Sequence, residues 1–123
     1  MKQEIFDDRV VLHFTGGGAL EHEDHSQPGL IVGYGKDRRI IRLTFLEPRK
    51  RGDTGQTLVI ERYDPQADAL DIELDEGAWH ETEDSPLGFL IDFDDGHRIV
   101  ALEFLGASRL FPEAALGRHN HAA

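Results

Sequence analysis

The amino-acid sequence predicts a mainly β protein, in which two tandem β-meander units related by pseudo-two-fold symmetry pack as one sandwich or barrel-like domain with a short C-terminal helix. Three observations carry this. Setting residue n beside residue n + 59 aligns residues 18–46 with 77–105, and nine of the 29 positions are identical, among them Ser26/Ser85, Gly29/Gly88, Arg39/Arg98 and Phe45/Phe104. Leu70, Ile72 and Leu74 alternate with Asp71, Glu73 and Asp75, the period-two pattern of a strand with one wet face. Asp94-Asp95-Gly96-His97 separates two apolar runs as a hairpin turn should, with Gly96 expected to supply a positive φ. An α+β fold is the alternative, because the tail alone carries helix signals.

The first unit spans about residues 4–48. Val10, Leu12 and Phe14 fall on Leu70, Ile72 and Leu74 at an offset of 60, and Glu4, Phe6 and Asp7 on Glu61, Tyr63 and Asp64 at an offset of 57. Gly16-Gly17-Gly18 follows a strand with no helix after it, so it reads as a loop and not as a phosphate cradle. Leu30, Val32 and Tyr34, then Ile41, Leu43 and Phe45, form the next two strands around a less typical turn at Gly35-Lys36-Asp37-Arg38. Residues 49–57 read as the connecting segment. The second unit spans about 58–110, with a longer first turn at Pro65-Gln66-Ala67-Asp68-Ala69. Phe89, Ile91 and Phe93 share one face of a strand while Leu90 and Asp92 take the other; Val100, Leu102 and Phe104 share a face of the strand that follows. In the tail, 111–123, Pro112 suits a helical first turn and Gly117 a stop. Two copies are too few for a solenoid or propeller.

Length and composition bound the rest. A chain of 123 residues with 39% hydrophobic residues has material for one core. No apolar run approaches the roughly 20 residues that cross a bilayer, and the start, Met1 to Asp8, turns acidic where an export leader needs an apolar run. A soluble, cytoplasmic protein is therefore expected, with no membrane partner. The absence of cysteine excludes disulfides, thiolate zinc sites and a cysteine nucleophile. A net charge of −11 opposes a phosphate backbone, so no nucleic-acid partner is expected; Arg49-Lys50-Arg51 is the one basic cluster and reads as a solvated linker. Residues 1–55 hold nine basic and nine acidic side chains, whereas residues 56–123 hold four and fifteen, so the second unit carries the surplus acid.

At Tyr63-Asp64-Pro65-Gln66-Ala67-Asp68-Ala69-Leu70, and then in order through Asp71 to Leu74, Glu81-Thr82-Glu83, Gly88 to Asp94, Gly96-His97-Arg98-Ile99-Val100 and Glu103 to Ser108, the sequence resembles the YuzE-like family of small bacterial proteins, domain of unknown function 2283. The resemblance covers roughly residues 60–110. The first unit keeps Phe6-Asp7 but lacks the Ala-Asp-Ala-Leu turn, and reads as a degenerate copy. The family has no assigned activity. Its members are usually single units, some encoded near toxin-like proteins, which implies an antitoxin-like or immunity-like role and a chain that fuses two protomers of a family dimer. The signature residues Tyr63, Asp64, Asp68 and Leu70 are expected to be structural, since aspartates flanking a turn bond its amides.

Glu21-His22-Glu23-Asp24-His25 is rich in metal ligands, yet on a strand His22 and His25 point to opposite faces; they are the weak candidates for a metal site, and none is expected. Asp92-Phe93-Asp94-Asp95-Gly96 has the opening of a calcium loop without its closing glutamate, and reads as a hairpin. No nucleophile, oxyanion donor or nucleotide fingerprint accompanies Asp64 and Asp68, so no catalytic residue and no cofactor are expected. Trp79 and Leu20 are pseudo-equivalent, and read as shared core or else as walls of a pocket between the copies. The favoured function is a non-catalytic protein-binding module in which Asp71, Glu73, Asp75, Glu81 and Glu83, with Asp84 near them, meet a basic protein partner. A small metal-dependent hydrolase and a small-ligand binder are the alternatives. A monomer with pseudo-dimeric symmetry is the expected state.

Overall fold

Alternating apolar residues become strands because period two places them on one face of a pleated chain. In the computed structural model, which describes residues 2–48, 59–74 and 79–116, ten strands form. They are β1 (Lys2–Ile5), β2 (Arg9–His13), β3 (His22–Asp24), β4 (Leu30–Tyr34) and β5 (Ile40–Leu46), then β6 (Ile60–Asp64), β7 (Ala69–Glu73), β8 (Glu81–Asp84), β9 (Leu90–Phe93) and β10 (Ile99–Leu105). They build two antiparallel five-stranded sheets of identical order, β1-β2-β5-β4-β3 and β6-β7-β10-β9-β8, neither closed into a barrel. Within each unit the last three strands are a meander, and the initial hairpin joins it through β5 or β10. The chain therefore crosses from the second strand to the far edge of its sheet. The connecting segment expected at 49–57, with Arg49-Lys50-Arg51, lies outside the described residues.

The offsets of the repeat are now fixed by register. Val10 pairs with Phe45 and Leu12 with Leu43, as Leu70 does with Phe104 and Ile72 with Leu102, so 59 and 60 hold for β5/β10 and β2/β7. The offset of 57 for the first strand does not. Ile5 lies opposite Val10, and Tyr63 opposite Leu70, which makes the offset 58 and puts Ile5, not Phe6, in the place of Tyr63. The cause is the turn. The first hairpin closes over Asp7-Asp8 with the Phe6 amide donating to the Arg9 carbonyl at 2.9 Å, while the second needs residues 65–68.

Core-facing residues of both sheets merge into one cluster: Val10, Leu12, Leu43 and Phe45 from the first sheet, Leu70, Ile72, Leu102 and Phe104 from the second. Burying such side chains stabilises each by about 1.5–3 kcal/mol relative to exposure. One end is closed by the tail. Pro112 precedes the expected helix, α2 (Glu113–Leu116), and a further short helix, α1 (Ala107–Leu110), was not legible as such. Between them Phe111 is fully buried, its ring 4.8 Å from Phe14 of the first unit and 4.9 Å from Phe104 of the second. Arg39 fastens this segment by donating to the carbonyls of Ser108 and Phe111.

The Gly16-Gly17-Gly18 loop receives the tail. A Cβ on Gly17 would stand 2.0 Å from Ile41 Cγ2 and 3.0 Å from Pro112 Cγ, so the glycine is there for close approach. The turn at 94–97 differs from expectation in one respect. Its positive φ belongs to His97 (62°) and not to Gly96, because the Asp94 carboxylate accepts the amides of Gly96 at 2.9 Å and Arg98 at 2.8 Å and winds the turn one residue further. Arg38 (φ 58°) occupies the same place in the first unit.

Candidate functional site

Antiparallel partners share a face, so register dictates what the outer side of the second sheet presents. One row runs Arg62–Asp71–Glu103–Leu90–Asp84 and the next Ile60–Glu73–Ala101–Asp92–Thr82. Asp71 and Glu103 thus stand directly opposite each other on β7 and β10, with Asp92 one strand away. Like charges so placed repel. Partial burial first, then Asp92, pushes the Asp71 carboxyl up against a downward pull from Arg62; burial, then Asp71 and Asp92, pushes Glu103 up as well. Arg62 also donates to Glu73 at 2.7 Å. At the margin Trp79 Nε1 donates to Thr82 Oγ1 at 2.9 Å, and that hydroxyl donates to Asp92 Oδ1 at 2.6 Å.

The outer face of the first sheet is balanced by contrast. His13 Nε2 meets Glu4 Oε1 at 2.5 Å and Arg42 pairs with Glu23, which holds the Glu23 carboxyl below its ordinary range. His13 and Arg42 are direct register partners, and Val11, Thr44 and Ile31 fill the adjacent row beside Glu4. Part of the charge asymmetry of the sequence is therefore a difference between two equivalent faces.

Of the five residues expected to meet a partner, the structure brings Asp71 and Glu73 to this face, with Asp84 on its edge. Glu81 and Glu83 pair with Phe93 and Ile91 and so take the opposite side of β8. Strand parity thus separates residues that the sequence groups in one acidic neighbourhood. Asp75 lies outside the described residues. Glu103 and Asp92 belong to the face and were not chosen; the alternation along β9 and β10 was the signal for them. The histidine-rich run does not converge: His22 lies 6.2 Å from the Tyr34 ring, His25 meets Glu23 Oε1 at 3.4 Å, and neither is within ligand reach of two further donors among the described residues.

Trp79 and Leu20 require a correction. They are equivalent, but both are on the outside, 58% and 40% exposed, so they neither fill a shared core nor wall a pocket between the copies. Leu20 lies over Gly33, where a Cβ would stand 2.8 Å from its Cδ1. The cleft that does lie between the copies is bounded by Gly29, Phe45 and Pro48 on one side and His97, Arg98 and Ile99 on the other, and measures about 180 Å³. That is small beside the roughly 300–1,000 Å³ of small-molecule sites.

The signature residues hold the second unit together. Asp64 Oδ1 accepts the Gln66 amide at 3.0 Å inside the turn. Asp68, with φ 51°, accepts the Tyr63 hydroxyl at 2.6 Å, the Ser108 amide at 2.9 Å and the Ser108 hydroxyl at 2.7 Å. Tyr63 first, and then Ser108, lower the Asp68 pKa, and the same bond pushes Tyr63 up to about 12. Leu70 is fully buried beneath them. A tie thus runs from the first hairpin of the unit to the start of α1.

Residues 62–108 match a family described as protein of unknown function, DUF2283, a span that starts one residue before Tyr63 and ends at Ser108. No curated protein and no solved structure matches the chain. The match does not reach the first unit, whose kinship rests on the repeat and the shared sheet order. The likeness to DUF2283 is thus one of residues 62–108, less than half of the chain, and it lies wholly in the second unit.

Proposed function

We propose that the protein is a non-catalytic protein-binding module, antitoxin-like or immunity-like in kind, whose second sheet presents its outer face to a basic partner. The observation that carries this reading is the opposed pair Asp71 and Glu103 with Asp92 beside them, three carboxylates held on a rigid sheet at mutual electrostatic cost. A cationic surface docked there would relieve that repulsion, and opposite charge would speed encounter. The equivalent face of the first unit, with its paired charges, offers no such complement. In the cell interior, where we place the protein, a basic protein is the fitting partner.

The test compares wild type with Asp71→Lys and Glu73→Lys in capture of partners at low salt, each candidate then purified and titrated. The reading expects binding to fall at least tenfold in the variants and to weaken with added salt. Equal capture of the same partners by wild type and the charge-reversed proteins would overturn it.

A further inference from the structure

We propose that Glu81, Glu83 and His97 form a binding site for a divalent transition-metal ion, on the side of the second sheet opposite the acidic outer face. Glu81 and Glu83, two apart on edge strand β8, project to one side, as their pairing with Phe93 and Ile91 requires. His97 comes from the β9–β10 turn. Its left-handed backbone turns the ring onto Phe93, where it lies 4.1 Å away and 5° from parallel. Phe93 is buried in the core, so the imidazole has a fixed floor. In that pose Nε2 is 3.0 Å from Glu83 Oε2, and one donor atom from each of the three side chains lies within 4.8 Å of the others.

Two donors bound to one zinc ion at about 2.0–2.2 Å stand up to roughly 4 Å apart, so a small rotation of a glutamate closes the set. Two carboxylates and a neutral imidazole match the charge and the mixed nitrogen–oxygen preference of zinc or manganese. All three side chains are exposed, which gives an ion access.

The duplication supplies an independent observation. At the offset of 59, Glu81, Glu83, Phe93 and His97 correspond to His22, Asp24, Tyr34 and Arg38, which together border a cleft in the first unit. Arg38 shares the left-handed backbone of His97. One architectural position is thus filled by different chemistry: an arginine borders the cleft of the first unit, and a histidine able to ligate stands in its place in the second.

The experiment is calorimetric titration of the full, untagged chain with zinc chloride and, separately, manganese chloride, in a His119→Ala/His121→Ala background that removes the tail histidines. One equivalent of at least one metal should bind, with His97→Ala and Glu83→Gln each weakening it tenfold or more and His22→Ala leaving it unchanged. Because both substituted positions are exposed, far-ultraviolet circular dichroism should show every variant folded, and if one is not, the other decides. Absence of binding by either metal, or binding that survives both His97→Ala and Glu83→Gln, overturns the proposal. Loss of partner capture in the Asp71 and Glu73 variants bears on the other face and leaves this result untouched.

Discussion

At the scale of single residues, the acidic outer face is a local cost that the fold tolerates. Partial burial, followed by the neighbouring carboxylates, raises the Asp71 and Glu103 carboxyls from their ordinary values. A carboxyl whose folded pKa is raised binds its proton more tightly in the native state, so its ionisation subtracts from stability as pH climbs through the ordinary value and past the raised one. Asp71→Asn removes one charge from the opposed pair while keeping its shape. It should stabilise the protein at pH 7 by roughly 0.2–1 kcal/mol, the scale of a cross-strand pair. The gain should fade below about pH 4, where the carboxyl is already neutral. Urea unfolding of both proteins at pH 7 and pH 3.5 checks this, and equal gains at the two values would contradict the electrostatic origin. Asp68 is the opposite case, its pKa lowered by donors that depend on its charge.

Among the elements, the two meander hairpins illustrate how one geometry is reached by different chemistry. In the second unit Asp94, only 2% exposed, organises the turn with its own carboxylate. In the first unit Gly35 holds that place, because a Cβ there would stand 2.6 Å from the Gly17 carbonyl oxygen, which accepts the Lys36 amide. Gly96, by contrast, has negative φ and its nearest neighbour at 3.5 Å. Gly35→Ala should therefore cost about 1–3 kcal/mol, an overpacking penalty, and Gly96→Ala less than about 0.5 kcal/mol. Thermal unfolding of the two variants separates them, and a similar loss in both would show that backbone freedom rather than contact decides.

For the whole molecule, each sheet is half of an interior. Phe14, Phe104 and Phe111 meet at one end from both units, and the apolar faces of β2, β5, β7 and β10 join in one core cluster. A unit of about 60 residues buries only about 60% of the surface that its unfolded chain exposes, which leaves it marginal alone. Residues 1–57 and 58–123 expressed separately should each be unfolded or self-associated, and should regain native circular dichroism when mixed or paired. Sedimentation of the second unit alone as a folded monomer would contradict this, and with it the view of the chain as a fused pair.

By itself the sequence determined that there are two β units, where the three central strands of each lie with the apolar face they bury, and that the acid belongs to the second. Those properties are local or additive: period two, a repeat offset and a charge count survive without coordinates. The first-strand offset, the owner of the positive φ and the outward position of Trp79 and Leu20 were decided by the tertiary structure, since each depends on how a turn or an edge loop closes against distant residues. The same holds for both candidate sites. Alternation placed Asp71 and Glu73 together, but only pairing across β7, β10 and β9 adds Glu103 and Asp92, and only the β9–β10 turn carries His97 over Phe93 to Glu83. Residues far apart in sequence become neighbours through sheet register, and register is fixed by the burial of one face, which is a property of the folded whole.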